Sequence, residues 1–314
     1  MPDNKPNIIF LGTPELAVPA LKALVENNLK PFLVITQPDK PAGRSKRPVP
    51  GPVKEFAIKN GIKVVQPADK EELKNIFEKN SCDAAILVAY GMIIPEEVLA
   101  MPKHGFLNLH PSLLPKYRGS APVQAAVLNG DDKTGVSIIK LTKEMDAGPI
   151  AAQKTLDISA DDNAKILSDK LFKIGAELLI EILPDYLSGK IELKLQDQSK
   201  AIFTKLLKRE DGHINWSKKA LEIKRQFRAF YPWPGLFSQL DGKRLKITNL
   251  SVLEGDFGVD LSPGELFLGP KKELAVKAGS GAVILESLQP EGKKEMSGQD
   301  FLRGQKDLIG KVLE

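Results

Sequence analysis

The first half of the chain alternates short apolar runs with segments in which apolar residues recur every three or four positions. Such runs are typical of buried strands, and the longer period is typical of helices that cover a sheet. Strands are predicted at residues 7–11, 32–36, 63–65, 84–89, 106–110 and 134–141. Helices are predicted at residues 13–28, 53–59, 69–79 and 122–129. This alternation predicts an α/β fold with a mostly parallel, doubly wound (Rossmann-like) sheet.

The pattern changes after residue 187. A long helix is predicted over residues 161–187, with Leu167, Leu171 and Leu178 at helical spacing. From about Lys208 onward, short alternating segments are separated by turn signals such as Asp241-Gly242. These features predict a small all-β, OB-like barrel. The expected organisation is a first domain at 1–188, a polar, lysine-bearing linker at 189–207 and a β-barrel domain at 208–314.

Length and composition agree with two domains in a reducing compartment. The chain has 314 residues, which is about twice a usual domain, and 42% of them are hydrophobic. The one cysteine, Cys82, cannot form an internal disulfide and is expected to be a buried apolar residue rather than a nucleophile. The sequence shows neither a signal peptide nor an apolar run long enough for a membrane span, so a cytoplasmic location is expected. A monomer is the expected oligomeric state.

Several cofactor classes are excluded by the motifs. The turn after the first predicted strand contains a single glycine, Gly12, whereas dinucleotide sites need several, so NAD is not expected. The phosphate-binding G-x-x-x-x-G-K-[ST] pattern does not occur in the sequence. Three histidines and one cysteine at unsuitable spacing predict no metal site. The net charge of +5 permits a polyanionic partner without requiring one.

Two polar residues occupy the end of a predicted buried strand. Asn108 and His110 are two positions apart, so both project from one face while Leu107 and Leu109 fill the other. Ligands of open α/β sheets bind beyond the carboxyl ends of strands, where this pair is placed. A binding role for this pair and a purely structural, hydrogen-bonded His110 are about equally supported by this pattern.

Asp146 also follows a predicted strand, in a turn closed by glycine and proline. It could cap the backbone of its own turn, or it could face His110 across a cleft. An Asn, a His and an Asp without metal or nucleophile suit transfer of an acyl-level group to an amine. The first two can stabilise an oxyanion, and the carboxylate can relay a proton.

The N-x-H, S-L-L-P-x-[YW]-R-G and M-D-x-G elements, in this order, resemble the folate-dependent formyltransferase family. The blocks GTPELAVPAL, TQPDKPAGR, NLHPSLLPKYRGSAPVQ and LQPEGKKEMSGQDFLRG resemble its branch that acts on charged tRNA. The resemblance implies transfer from 10-formyltetrahydrofolate to initiator methionyl-tRNA, for translation initiation in a bacterial-type cytoplasm, by the catalytic residues Asn108, His110 and Asp146. It implies folate contacts by Ser112, Leu113, Leu114 and Pro115, and by the backbone of Ala89, Tyr90, Gly91 and Met92.

A proline-rich loop at residues 37–52 follows the second predicted strand. Its five prolines exclude a regular helix or a central strand. Arg44, Lys46 and Arg47 make it positive; they could simply be solvated, but the resemblance implies that they contact tRNA. In the F-Y-P-W-P-G stretch, Trp233 is expected to pack in a core, as an anchor at the domain junction, rather than to stack on a base.

Two other functions remain open from the sequence. The enzyme could formylate a small amine such as glycinamide ribonucleotide or an amino sugar. The β domain and the basic loop argue against this, because a small acceptor does not require them. Alternatively, the chain could be a tRNA-binding module whose α/β part is inert.

Overall fold

The computed structural model describes residues 5–42, 47–255, 257 and 260–314. The strands up to residue 204 are β1 Ile8–Gly12, β2 Leu33–Ile35, β3 Lys40–Ala42, β4 Arg47–Val49, β5 Lys63–Val65, β6 Ala84–Val88, β7 Phe106–His110, β8 Arg118–Gly119, β9 Lys133–Lys140, β10 Ile150–Asp157 and β11 Phe203–Thr204. Those after it are β12 Leu236–Leu240, β13 Lys243–Leu253, β14 Leu266–Leu268, β15 Leu274–Lys277, β16 Ala282–Pro290 and β17 Met296–Ser297. The helices are α1 Val18–Glu26, α2 Pro52–Lys59, α3 Lys70–Lys79, α4 Glu96–Leu99, α5 Pro122–Asn129, α6 Ala164–Leu187, α7 Ala220–Ala229 and α8 Gly298–Arg303.

The first sheet has seven strands in the order β10-β9-β7-β6-β1-β2-β5. Strands β7, β6, β1, β2 and β5 run parallel, and β9 and β10 are antiparallel to their neighbours. The chain first builds outward from β1 to β2 and β5, then returns to place β6 and β7 on the other side of β1. The carboxyl ends of β1 and β6 therefore form the switch point at which α/β sheets commonly bind ligands.

Alternate residues of the strands fill two separate cores, one on each face. Ile8 and Phe10 pack with residues of α1, α2 and α6, whereas Ile9 and Leu11 pack with residues of α3. All four side chains are fully buried, and each such burial stabilises the fold by about 1.5–3 kcal/mol. Helices on both faces of a mostly parallel sheet confirm the predicted doubly wound fold.

The second sheet is antiparallel, in the order β12-β13-β16-β15-β14, with β17 paired to β16. Its two edge strands are joined through residues 310–314. Leu266 of β14 donates its N–H to Lys311 and accepts from Gly310, while Gln239 of β12 exchanges two backbone hydrogen bonds with Glu314. The sheet with its connected edges agrees with the small antiparallel domain expected from the sequence.

Two compact units account for the chain. The first comprises residues up to Pro122, Lys133–Asp157 and Leu167–Lys205; the second comprises Val123–Asp132, Ile158–Ile166 and Leu206–Glu314. The division into domains at 1–188 and 208–314 with a linker between them stays a prediction. Within the part of the chain that the structure describes, no helix has the length and apolar character needed to cross a bilayer.

Several local features differ from the sequence expectations, including the short strands β3 and β4, which pair within the predicted loop at 37–52. Edge strand β10 was not predicted, because its residues are mostly half-buried or exposed. Helices α7 and α8 accompany the second sheet, whereas alternation predicted strands alone. Thr13 does not cap the first helix; its hydroxyl donates to the backbone oxygen of Tyr90 at 2.9 Å.

Candidate active site

Strand β7 carries Asn108 and His110 toward its carboxyl end. It lies between β6 and β9, with Asn108 opposite Leu87 and Ile139. Asn108 is 7% exposed and His110 is 5% exposed. Because side chains alternate along a strand, both point to one face, while the neighbouring leucines belong to the core on the other.

The imidazole of His110 lies between two acceptors. Its Nε2 is 3.0 Å from the backbone oxygen of Tyr117. A carbonyl oxygen can only accept, so this contact assigns a proton to Nε2. The other nitrogen, Nδ1, is 3.6 Å from Oδ2 of Asp146, which is an ion-pair distance rather than a hydrogen bond. Nδ1 is therefore the ring nitrogen that faces the carboxylate.

Asp146 belongs to a turn after β9 that we call the Asp146 turn (residues 146–150). Its backbone is left-handed, with φ of 51°. Its Oδ2 accepts a hydrogen bond from the N–H of Gly119 at 2.8 Å, so the carboxylate binds the backbone of β8, 27 positions away. The side chain is 14% exposed. This arrangement brings the carboxylate next to His110.

Two site residues were not found by sequence reasoning. Gln196, within the predicted linker, donates through Nε2 to the backbone oxygens of Asp146 at 2.8 Å and Gly148 at 2.7 Å. Its Oε1 accepts from Nε of Arg118 at 3.1 Å and from Nη2 at 2.7 Å. Gln196 is 7% exposed and Arg118 is 2% exposed. Nearby, β11 pairs with β8, so residues 203–204 lie alongside 118–119.

The predicted folate-contacting turn follows β7 directly and is held by hydrogen bonds. Ser112 is fully buried, and its hydroxyl donates to the backbone oxygen of Lys116 at 2.6 Å. The N–H of Leu114 donates to the hydroxyl of Ser137 at 3.1 Å, and the Leu114–Pro115 peptide bond is cis. Leu113 and Pro115 remain half-buried. The turn is thus ordered, with two apolar side chains partly accessible.

The second predicted folate segment follows β6. Ala89 and Gly91 have positive φ values of 46° and 90°, and Gly91 is exposed. The Tyr90 ring lies in the core at 1% exposure, where burial raises the pKa of its hydroxyl to about 12. Met92 is half-buried. Because the Tyr90 side chain points into the core, what this residue can offer a ligand is its backbone.

The residues predicted to contact tRNA are only partly described. Arg44 and Lys46 lie outside the described residues, and the backbone of Arg47 begins β4, which pairs with β3. In the second unit, Trp233 is 54% exposed, so the expectation that it packs in a core is wrong. Among the described residues, no group of three or more His, Cys, Asp or Glu side chains could hold a metal ion.

Comparison with protein families gives two matches. The family described as "Formyl transferase" matches residues 6–183, and "Formyl transferase, C-terminal domain" matches residues 206–306. The methionyl-tRNA formyltransferase of Sulfurihydrogenibium sp. is 40% identical over 311 residues, covering 98% of this chain and 99% of that protein. That of Thermodesulfovibrio yellowstonii is 44% identical over 302 residues, covering 95% of this chain and 96% of that protein.

Solved structures share the fold at low identity. A sugar 3N-formyl transferase, WlaRD, solved with dTDP and 5-N-formyl-THF, has a TM-score of 0.68 at 20% identity, covering 93% of this chain and 100% of its own. HypX from Aquifex aeolicus, solved with tetrahydrofolic acid, has a TM-score of 0.62 at 18% identity. The match covers 95% of this chain and 47% of the HypX chain. These likenesses support the fold independently of the sequence matches.

Proposed function

The chain belongs to the formyltransferase family, and we propose that it transfers the formyl group of 10-formyltetrahydrofolate to the amino group of initiator methionyl-tRNA. The product, N-formylmethionyl-tRNA, serves translation initiation. The observation that carries the proposal is the approach of the half-buried Asp146 carboxylate to the buried His110, which shares a strand face with Asn108 at the carboxyl end of β7. Relatives that match over nearly the whole chain and bear this enzyme's name support the choice of substrate.

The reaction begins with attack by the neutral α-amine on the formyl carbon. A carbon–nitrogen bond forms, and the formyl oxygen becomes an oxyanion. The bond between the formyl carbon and N10 of the folate then breaks, and N10 takes up a proton. Asn108 is suited to bind the oxyanion, because its buried amide makes no hydrogen bond with the described residues and is available to donate.

His110 contributes through Nδ1, since Nε2 is engaged by the backbone oxygen of Tyr117. With Nε2 protonated, Nδ1 donates to the oxyanion only when the ring is an imidazolium. Oδ2 of Asp146 lies 3.6 Å from Nδ1, so the carboxylate faces the nitrogen that would donate. The same carboxylate can accept the proton that the amine nitrogen loses after it has bonded to the formyl carbon, which joins charge stabilisation and proton transfer in one pair.

The residues proposed to contact folate are chosen from their positions on the first sheet. The folate is proposed to lie against Ser112–Pro115 and the backbone of residues 89–92, beside the β1–β6 switch point. The loop cations Arg44, Lys46 and Arg47 and the second domain, at 208–314, would contact the tRNA. The first domain, at 1–188, would carry the chemistry, with no metal and no NAD. The whole protein is proposed to be a cytoplasmic monomer.

The test is formyl transfer from labelled 10-formyltetrahydrofolate to three acceptors: charged initiator tRNA, glycinamide ribonucleotide and an amino sugar. We expect transfer to methionyl-tRNA alone. Preference for a small amine would instead support the second candidate, an enzyme that formylates glycinamide ribonucleotide or an amino sugar. Binding of tRNA without transfer to any acceptor would identify an inert α/β part and refute the proposal.

A further inference from the structure

The Asp146 turn is tied to residues 194–196 by four hydrogen bonds. Ile150 donates its N–H to Lys194 at 2.8 Å, and Lys194 donates in return at 2.9 Å. The side-chain amide of Gln196 donates to Asp146 at 2.8 Å and to Gly148 at 2.7 Å. Residues 194–196, which the sequence predicts to lie in a polar linker, therefore hold both ends of the Asp146 turn.

The orientation of the Gln196 amide is determined by its partners. Backbone oxygens can only accept, and the guanidinium of Arg118 can only donate. The one arrangement that satisfies all of them places Nε2 on the turn and Oε1 on Arg118, as observed. Because Gln196 and Arg118 are both more than nine-tenths buried, water cannot readily replace a lost bond.

The Gln196 amide holds Asp146 in a backbone conformation that most residues avoid. Asp146 has a left-handed backbone, with φ of 51°, which is unfavourable for residues other than glycine. Such a conformation persists only where surrounding contacts determine it. The bond from Gln196 to the Asp146 oxygen is one of these contacts, and the bond from Gly119 to the carboxylate is another.

We propose that Gln196 is a positioning residue for formyl transfer, which fixes the Asp146 turn so that the carboxylate faces Nδ1 of His110. Arg118 acts one step further away, by holding Oε1 of Gln196. The inference rests on the proposed function. It predicts that loss of the amide changes the rate of the chemical step, because Asp146 moves away from His110, while both substrates still bind.

The test is Gln196→Met, a replacement of similar length that neither donates to the turn nor accepts from Arg118. Its matched control is Gln198→Met. Gln198 also accepts from Arg118, through Oε1 at 2.7 Å, but is exposed and has no bond to the turn. We expect kcat to fall about 10- to 100-fold in the first variant, with both KM values within about twofold, and wild-type kinetics in the control.

A second variant separates positioning from folding. Gln196→Glu keeps the length and gives Arg118 a carboxylate partner, but at neutral pH it cannot donate to the two backbone oxygens. We expect it to lose kcat as the Met variant does, with kcat measured below its Tm so that only folded protein is compared. Wild-type kcat in either Gln196 variant would overturn the inference.

The double variant with Asp146→Asn decides whether the effect passes through the carboxylate. If it does, Gln196→Met lowers the single-turnover rate little further in that background. An equal fold loss in both backgrounds would mean a general structural role and would overturn the inference. Failure of the proposed function has a different signature, since the wild type itself would then transfer no formyl group to methionyl-tRNA.

Discussion

The Asp146 turn offers a second, independent perturbation at Gly148. A Cβ added at this position would lie 1.8 Å from the backbone oxygen of Lys140, the last residue of β9. Non-bonded heavy atoms prefer separations of about 3.5 Å, so Gly148→Ala requires the turn or the strand to move by on the order of 1.5 Å. The strand is anchored in the sheet between β7 and β10, so the displacement falls on the turn.

The magnitude follows from how strictly formyl transfer depends on placement. Displacement of a reacting group by about 1 Å can cost roughly 10²-fold in rate, so we expect kcat of Gly148→Ala to fall by about that factor. Overpacking of this kind also destabilises by about 1–3 kcal/mol, or a few degrees in Tm for a domain of this size. The assay is kcat at saturating substrates, with folded protein quantified by circular dichroism.

Gly298→Ala is the control for destabilisation alone. A Cβ there would lie 2.0 Å from the backbone oxygen of Leu285, so the clash is similar, but it falls in the second unit. We expect a comparable fall in Tm with kcat close to that of the wild type. If Gly148→Ala keeps normal kcat, or if both variants lose kcat equally, placement of Asp146 by its turn is not what limits the rate.

Three further predictions address separate parts of the chain. Asn108→Ala should lower kcat by roughly 10²-fold with little change in Tm, since the amide makes no bond with the described residues; near-normal turnover would remove it from the oxyanion site. Burial, with a smaller contribution from Asp83, raises the pKa of Cys82 to about 12, so an aromatic disulfide reagent at about pH 8 should label it only after denaturation. Neutralising Arg44, Lys46 and Arg47 together should raise KM for tRNA while the affinity for folate stays constant. The dependence of tRNA affinity on salt should become shallower by about one log unit or less per lost cation, and an unchanged slope would show that the loop is only solvated.

The arrangement of β7 was predictable because it depends on local rules. Alternation along residues 106–110 requires Asn108 and His110 to share a face, and the proline at 111 requires the strand to end there. Asp146 was predictable as a turn residue, but its approach to His110 was only one of two alternatives. Its direction is set by the N–H of Gly119, a contact between residues 27 positions apart that no local pattern encodes.

Gln196 and Arg118 could not be predicted for the same reason. A glutamine among lysines is typical of a solvated linker, and nothing in the neighbouring residues indicates that its side chain is buried. The burial accompanies contacts between distant residues: Gln196 binds Arg118 of β8, and β8 pairs with β11. Thr13 shows the converse: its local setting favours a helix cap, and a contact to Tyr90, 77 positions away, takes its place.

The joining of β12 to β14 has a consequence during translation. Leu313 is 2% exposed, and residues 310–314 follow every strand of the antiparallel sheet along the chain. The ribosome therefore synthesises both edge strands well before the segment whose backbone pairs with them. Unpaired edges are templates for joining other chains, so the second unit is most prone to aggregate in the interval before residue 311 leaves the exit tunnel.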